Sequence, residues 1–402
     1  MSKRSATTQL DETERIKRSQ FSFPLEANER YEGSFPVYKQ PQELTCYSID
    51  HHRRVWFDDR EMKYYYPPLG KDLNVGYDQF IQRDESVSEH IDTLLDALTT
   101  VKQKHPSDIH ADIVTWRGIM TKILCTPYSR RDAWELRATR YNGTIFIEEQ
   151  SLKDNSKDTD RQKLMGYWGY RFETLCTVSQ PPHKVNKEEL KKRDNESANT
   201  NVQYCVVVKT KLGNNSIIMG AEVDCCRGID ALFYFTKYTH KDRKDVKPKD
   251  PTAQLSNYIE LKTSRVIETG RHDYSFQRYK LLKFWAQSFL VGVPRIICGF
   301  RNDDGLLMEV KQYKTLEIPR QVRNTKNTWN PAVCLNFANQ LLDWIQHNIT
   351  EDDPTTTYQI EFKSPFEEIN IKCTGHANVF LTQRFIEGKT LNEIGGQRAT
   401  QK

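Results

Sequence analysis

The stretch GAEVDCCRG, residues 220 to 228, places two acidic residues inside sequence that otherwise predicts a buried β-strand. The later stretch NYIELKTSR repeats the pattern, with Glu260 and Lys262 inside a second β-branched and aromatic run. Charged side chains are costly on buried strands unless a partner stabilises them. Residues two apart on a strand point to the same face, so we expect Glu222 and Asp224 to project together, as do Glu260 and Lys262. If the two strands are neighbours, three carboxylates and one amine converge.

Three unpaired carboxylates at one place would repel one another and take up protons. A divalent cation removes that repulsion, and oxygen ligands are those that Mg²⁺ or Mn²⁺ prefers. A lysine beside such a centre can orient the nucleophile or neutralise charge that grows on a phosphate. An acid followed, tens of residues later, by acid–x–lysine is similar to the arrangement of PD-(D/E)xK nucleases. The alternative is a cross-strand ion pair on a solvent-facing surface.

Two further segments carry candidate residues. GYRFETL places Glu173 after an aromatic-rich run, where we expect a helix to supply a third metal ligand. WAQSFL carries Gln287, with Lys283 and Lys280 one and two helical turns earlier. These two cations and the amide would suit a phosphate chain, whereas the alternative for each lysine is an ordinary solvated face. Gln287 lies among apolar residues, and a buried amide needs hydrogen-bond partners.

The composition indicates a globular chain without a membrane-spanning segment. Of the 402 residues, 37% are hydrophobic and 28% charged, and the net charge of +5 permits a polyanionic partner without demonstrating one. The longest apolar region, FLVGVPRIICGF, contains a proline and an arginine and is too short to span a bilayer. Nine cysteines without framework spacing indicate a reducing compartment, and no apolar secretory segment follows Met1. We therefore expect the nucleus or the cytoplasm, with no membrane partner.

The pattern of elements predicts an α+β fold with a mixed, largely antiparallel central sheet flanked by helices. Hairpins are expected around Asn142–Gly143 and around the Asp-Gly turn of NDDGLLMEV, and one helix is expected over IVTWRGIMTKILC. The domain organisation is predicted to be a disordered tail, one catalytic domain with two charged surface insertions, and a loose C-terminal tail. The bounds are 1–20 for the first tail, 21–388 for the domain, 183–201 and 239–254 for the insertions, and 389–402 for the last tail.

The motifs together resemble those of the DXO/Rai family of RNA 5′-end decapping nucleases, and they appear in the order of that family. They span residues 117 to 294 and comprise WRGIMTKI with Arg117, GYRFE with Glu173, GAEVD with Glu222 and Asp224, IELK with Glu260 and Lys262, and AQSFLVGVP with Gln287. Five ordered motifs are far more specific than any one of them. The resemblance implies a PD-(D/E)xK-like active-site core.

The resemblance also implies a role for each residue. The first metal ion would be held by Glu173, Asp224, Glu260 and the backbone carbonyl of Leu261. Glu222 would bind a second metal ion or its water. Lys262 and Gln287 would position the attacking water, and both, with Glu173, would lie close to the substrate. Arg117 would contact phosphate of the RNA 5′ end, although an arginine after Trp116 also suits a structural cation–π or ion-pair role.

The activity implied by the resemblance is hydrolysis of faulty RNA 5′ ends that leaves a 5′-monophosphate. Substrates would include triphosphate RNA, incompletely capped RNA and RNA with NAD caps, with two divalent cations as cofactors. The fungal branch of the family stabilises a nuclear 5′→3′ exoribonuclease of the XRN family, so we expect this partner and a nuclear location. RNA would enter along a basic groove, and Tyr64 to Tyr66 or Trp168 either stack on a base or belong to the core. The alternatives are a catalytically idle module that only stabilises the exoribonuclease, and a nuclease that cuts inside DNA.

Overall fold

The larger of two β-sheets has ten strands and forms one wall of the molecule. The computed structural model describes residues 20–104, 109–150, 159–227 and 255–391. In spatial order the strands are β1 (Gln20–Pro24), β16 (Glu368–Gly375), β15 (Thr357–Phe362), β6 (Trp134–Tyr141), β7 (Thr144–Glu149), β5 (Ile113–Trp116), β10 (Asn215–Glu222), β9 (Gln203–Leu212), β2 (Gln42–Ile49) and β3 (Val55–Trp56). Only the pairings of β5 with β7 and with β10 are parallel in this described sheet.

A second sheet of six strands supplies the other acidic stretch. Its order is β14 (Leu307–Lys314), β13 (Arg295–Arg301), β12 (Tyr258–Arg265), β11 (Cys225–Cys226), β4 (Tyr64–Tyr65) and β8 (Thr177–Val178). Strand β12 runs parallel to β13, and β11 parallel to β4, whereas the remaining pairs are antiparallel. The α+β class and the largely antiparallel pairing are therefore confirmed. The strands are divided between two sheets, however, and do not form one central sheet.

Helices cover both sheets and divide the core into three clusters. They are α1 (Asp92–Lys104), α2 (Arg117–Cys125), α3 (Asp160–Leu175), α4 (Lys187–Asn195), α5 (Gly270–Ser275), α6 (Leu281–Leu290), α7 (Ile318–Val322), α8 (Pro331–Asn348) and α9 (Gln383–Ile386). The largest cluster lies between α2, α6, α8 and the facing strands, and a second joins α1 to the opposite face of the ten-stranded sheet. The third joins α3 to the six-stranded sheet. Helix α3 and helix α6 therefore lie on opposite faces of the six-stranded sheet.

The predicted helix over IVTWRGIMTKILC is correct only in its second half. Ile113–Trp116 forms β5, which pairs in parallel with β10, and α2 begins at Arg117. The β-branched residues of this stretch favour a strand, and their burial between β7 and β10 decides the outcome. The consequence is that Arg117 lies where a buried strand turns into a helix.

Both predicted hairpins are present, and a glycine adopts left-handed backbone at each turn. Asn142 and Gly143 have φ values of 50° and 78° between β6 and β7, as a type I′ turn requires. Gly305, with φ of 81°, lies between β13 and β14, and a Cβ there would come within 2.6 Å of the indole of Trp168. Trp168 is fully buried in α3, so the second turn also supports the helix that carries Glu173.

Replacing Gly305 by alanine is expected to destabilise the fold more than the same change at Gly143. Both positions have left-handed backbone, which costs a residue with a Cβ about 1 kcal/mol, but a Cβ at Gly143 meets no atom within 4 Å. At Gly305 the overlap with Trp168 adds about 1 to 3 kcal/mol. Urea unfolding of both variants measures the difference. Equal losses of unfolding free energy would show that the indole moves aside freely.

The first and last described residues are integrated into the fold. Gln20 already belongs to β1, and Thr390 and Leu391 at the other end are buried. The predicted insertion at 183–201 contains α4 and the buried residues Arg193 and Ala198, whereas the one at 239–254 lies outside the described residues. None of the helices within the described ranges combines the length and apolar character needed to cross a membrane. All nine cysteines are free.

Candidate active site

The two acids of GAEVD lie where the chain passes from one sheet to the other. Glu222 is the last residue of β10, and Asp224 lies in the short connection before β11. Both side chains project into the same cleft, as predicted, although only Glu222 belongs to a strand. Since β11 pairs antiparallel with β12, the connection brings Asp224 beside the strand that carries Glu260.

Glu260 is buried between two cations. Its side chain is 2% exposed, and its carboxylate oxygen Oε1 accepts a hydrogen bond from Lys262 Nζ at 2.6 Å. Arg117 Nη1 lies 3.3 Å from both carboxylate oxygens. Burial alone would raise the pKa of Glu260, but the positive charges of Arg117 and Lys262 outweigh it and lower the pKa to about 2. Glu260 therefore stays ionised, and the shared face of Glu260 and Lys262 is as predicted.

Asp224 is held at the open edge of β12. Its Oδ2 accepts a hydrogen bond from the backbone N–H of Leu261 at 2.5 Å. Because the N–H and C=O of one residue point to the same edge of a strand, the Leu261 carbonyl faces this edge too. Desolvation, with a further contribution from Glu260, raises the pKa of Asp224 to about 7.

Glu173 reaches the same place from the last turn of α3. The helix begins with a capping box at Thr159 and Gln162 and is anchored by its buried aromatic residues. Desolvation and the nearby Asp224 and Glu222 raise the pKa of Glu173 well above its usual range. The expected helix is present, and it places Glu173 among the acids of both sheets.

Glu222 faces the solvent of a cleft and is fixed by two neighbours. Its Oε2 accepts a hydrogen bond from Gln203 Nε2 at 3.1 Å, and its backbone carbonyl accepts one from Arg117 Nη2 at 3.2 Å. Although the side chain touches the cleft, enough protein surrounds it that desolvation raises its pKa. Arg117 thus joins the two sheets, through the backbone carbonyl of Glu222 and through an ion pair with Glu260, the structural alternative given for this arginine.

Glu173, Glu222 and Asp224 line a cavity of about 870 Å³ between the two sheets. Its charged lining consists of Glu61, Lys63, Arg83, Glu85, Glu149, Glu173, Glu196, Glu222 and Asp224. Acids outnumber lysine and arginine in this lining, so the cavity itself is acidic. The basic groove along which RNA would enter stays a prediction. A polyanion can enter such a cavity only with cations that offset the carboxylates.

The donor set suits a hard divalent cation. Glu173 and Asp224 have raised pKa values because burial desolvates them and because neighbouring carboxylates add repulsion, and a cation relieves that cost. Within the described residues, no three acidic, histidine or cysteine side chains already surround a single point as metal ligands. Glu260 is turned toward Arg117 and Lys262. The residues fit a metal by their chemistry.

The remaining predicted residues do not line this cavity. Gln287 is half-buried on α6 and outside the lining of the cavity, and Lys283 is exposed, with Nζ 3.6 Å from Asp132. Trp168 is fully buried beneath Arg301, and Tyr65 is buried as well. The role of Gln287 stays a prediction, whereas Trp168 and Tyr65 belong to the core.

Two cavity residues were missed by sequence reasoning. Gln203 is the first residue of β9, and no charge or motif marks it. Tyr170 lies on α3 one turn before Glu173, is 41% exposed and lines the cavity. The spacing of Tyr170 from Glu173 in GYRFE was the available signal, since residues three apart on a helix share a face.

Carboxylates and a lysine converging at a strand edge beside a large cleft are typical of hydrolases that act on phosphate esters. Comparisons with known proteins support the same class of enzyme. The family described as RAI1 like PD-(D/E)XK nuclease matches residues 39–386. The chain therefore belongs to the RAI1-like PD-(D/E)XK nuclease family, and it is a hydrolase of the nuclease class.

Relatives align over nearly the whole chain. The Neurospora crassa protein named Decapping nuclease RAI1 is 38% identical over 383 residues, which cover 93% of this chain and 88% of the relative. Candida albicans Rai1, solved in complex with pU5-Mn²⁺, has a TM-score of 0.79 and 28% identity, covering 92% of this chain and 98% of that one. Scheffersomyces stipitis Rai1, solved with (3'-NADP)+ and calcium ion, has a TM-score of 0.76 and 28% identity, covering 92% and 99%.

Proposed function

We propose that this protein is a divalent-metal-dependent hydrolase of RNA 5′ ends. It removes incomplete or non-canonical caps, including NAD caps, and pyrophosphate from triphosphate RNA, and it leaves a 5′-monophosphate. The observation that supports this most is the convergence of Glu173, Asp224 and Glu260 from a helix, a connection and a strand. A pure scaffold has no physical need for carboxylates that repel one another at the end of a cavity.

The metal would be held by Glu173, Asp224, Glu260 and the carbonyl of Leu261, with Glu222 serving a second ion or its water. Bound there, Mg²⁺ or Mn²⁺ would supply Lewis-acid stabilisation of charge on the phosphate oxygens. The protein's own side chains would orient the attacking water and the phosphate. Lys262 Nζ, fixed by Glu260 at 2.6 Å, places a positive charge beside the reacting phosphate, where it can orient the water.

The substrate class follows from the cavity and from the solved relatives. The cavity of about 870 Å³ is large enough for a dinucleotide. Candida albicans Rai1 binds pU5 with Mn²⁺, and Scheffersomyces stipitis Rai1 binds (3'-NADP)+. These ligands support 5′-phosphorylated RNA and NAD-capped RNA as substrates of this chain.

Tyr170 is the side chain best placed to stack on a base of the RNA. Its ring is exposed on the cavity wall, and Phe80 supports it at a centroid distance of 5.7 Å. Tyr170→Ala is expected to raise the KM for RNA about tenfold, because stacking on an aromatic ring contributes about 1 to 3 kcal/mol per base. Tyr170→Phe should retain the wild-type KM. Steady-state kinetics decide this, with Tyr279→Ala as the matched control on an exposed tyrosine outside the cavity lining. An unchanged KM in Tyr170→Ala would exclude the stacking role.

The proposed function is tested by giving the purified protein triphosphate, incompletely capped and NAD-capped RNAs in parallel, with Mg²⁺ or Mn²⁺. We expect release of the cap-derived or pyrophosphate product and an RNA with a 5′-monophosphate that has lost at most its first nucleotide. Absence of any such product from all three RNAs would overturn the proposal.

We also propose that the protein stabilises a 5′→3′ exoribonuclease of the XRN family in the nucleus. This rests on the order of the sequence motifs, and the paired basic residues Lys3–Arg4 and Lys17–Arg18 would suit nuclear import. An inactive metal-site variant separates this role from catalysis. If it still raises the thermal stability of the exoribonuclease, the two functions are independent. A protein that stabilises the exoribonuclease without hydrolysing any RNA would be the idle binding module.

A further inference from the structure

We propose that Arg53 is a positioning residue for Glu222 and that it acts through the side-chain amide of Gln203. The three residues come from a turn, from β9 and from β10, and consecutive hydrogen bonds join them. The inference deepens the proposed function, since it concerns how the protein orients a carboxylate that would serve the metal or its water.

Arg53 is itself held firmly. It lies in the turn between β2 and β3 with φ of 62°, and its side chain is 10% exposed. Its guanidinium pairs with Glu89 through two bonds, from Nε at 3.2 Å and from Nη2 at 2.6 Å. Left-handed backbone at a non-glycine residue is strained and persists where the surroundings impose it. The paired, shielded guanidinium therefore has one orientation.

That orientation determines how Gln203 is turned. Arg53 Nη1 donates to Gln203 Oε1 at 2.7 Å and to the carbonyl of Asn201 at 2.9 Å. A guanidinium has donors only, so it selects the oxygen of the amide and leaves the NH₂ group pointing the other way. Gln203 Nε2 accordingly donates to Glu222 Oε2 at 3.1 Å. Without Arg53, the amide can flip and present its oxygen to the carboxylate.

The turn does not need the side chain of Arg53 to close. The carboxylate of Asp50 accepts hydrogen bonds from Arg54 Nε at 2.7 Å, from the backbone N–H of Arg54 at 3.0 Å and of His52 at 2.9 Å, and from Trp56 Nε1 at 3.0 Å. Arg54 thus stabilises the turn, while Arg53 points toward Gln203. The neighbouring arginine is a matched control for charge and for location.

Mn²⁺ binding to the full-length protein, measured by calorimetry without RNA, tests the inference. Arg53→Met and Gln203→Leu are each expected to weaken Mn²⁺ affinity about tenfold, as loss of a group that orients a metal ligand does. The double variant should be no weaker than Gln203→Leu alone, because both changes remove the same orientation. Arg53→Lys should recover part of the affinity, since a single donor can still hold the amide oxygen.

Electrostatics alone predicts that Arg53→Met binds Mn²⁺ more tightly, because removing a positive charge near the acids should favour a cation. Arg54→Met measures that charge effect and should leave Mn²⁺ affinity unchanged or slightly tighter. Wild-type affinity in Arg53→Met, or a double variant whose loss equals the product of the single losses, would overturn the proposal. So would an equal loss in Arg54→Met. If Arg53→Met fails to fold, the comparison of Arg53→Lys with Gln203→Leu decides. Wild-type protein that binds Mn²⁺ without hydrolysing RNA would refute the proposed function but not this inference.

Discussion

Replacing Asp224 by asparagine is expected to lower the rate of RNA 5′-end hydrolysis about a thousandfold or more. The amide keeps the shape of the side chain and can still accept the Leu261 N–H, but it cannot supply the negative charge that a divalent cation needs. The measurement is single-turnover release of product from labelled RNA. Asp132→Asn, a change at an exposed acid beside Lys283, should retain full activity. Full activity in Asp224→Asn would show that the site is wrongly assigned.

The same variant should be as stable as the wild type, or more stable, when no metal is present. Because the pKa of Asp224 is raised to about 7 in the folded protein, the folded state holds a proton that the unfolded state loses near pH 4. The stabilisation from that proton is complete below pH 4 and is lost as pH rises through 7. Thermal unfolding in a chelator should therefore show that the stability of Asp224→Asn increases relative to that of the wild type between pH 4 and 7. Added Mn²⁺ should raise the stability of the wild type more than that of the variant.

Replacing Arg171 by methionine is expected to reduce the free energy of unfolding by about 3 kcal/mol. Arg171 is 1% exposed and donates to the carbonyls of Arg193 at 3.1 Å and Glu196 at 2.6 Å, and also to that of Asp194. These carbonyls end α4 and lie where a cation is favoured by the helix dipole. Methionine fills much of the space but leaves these buried acceptors without their donor.

Urea unfolding measures the loss, and proteolysis under native conditions locates it. Cleavage near 193–200 should become faster than elsewhere, since this segment forms a wall of the cavity. Lys192→Met on the exposed face of α4 is the control and should behave as wild type. A stability change below about 1 kcal/mol in Arg171→Met would mean that water replaces the lost donors.

The acids and the hairpins were predictable because their signals are local. Glu260 and Lys262 alternate with apolar neighbours on one strand, and the Asn-Gly and Asp-Gly turns have a defined backbone requirement. The family was predictable because its motifs keep their order along the chain. These features depend on residues close together in sequence.

The division into two sheets was not predictable, because the pattern of GAEVDCC shows strand-like sequence on both sides of Asp224. Only tertiary pairing shows that β10 joins β5 and β9 while β11 joins β12. Burial between neighbouring strands likewise decided that Ile113–Trp116 is a strand and not the start of a helix. The positions of Gln203 and Arg53 beside Glu222 depend on contacts between residues 19 and 150 positions apart. The hydrophobic periodicity of a sequence does not show which residues so far apart along the chain come into contact.

Because the chain passes from β10 to β11 through Val223, the candidate acids come from both sheets and from both halves of the sequence. Glu222 belongs to one sheet and Glu260 to the other, and a single buried valine separates Glu222 from Asp224. Neither half of the protein, produced as a separate fragment, would carry all the proposed metal ligands. We therefore expect the proposed activity to require both halves folded together.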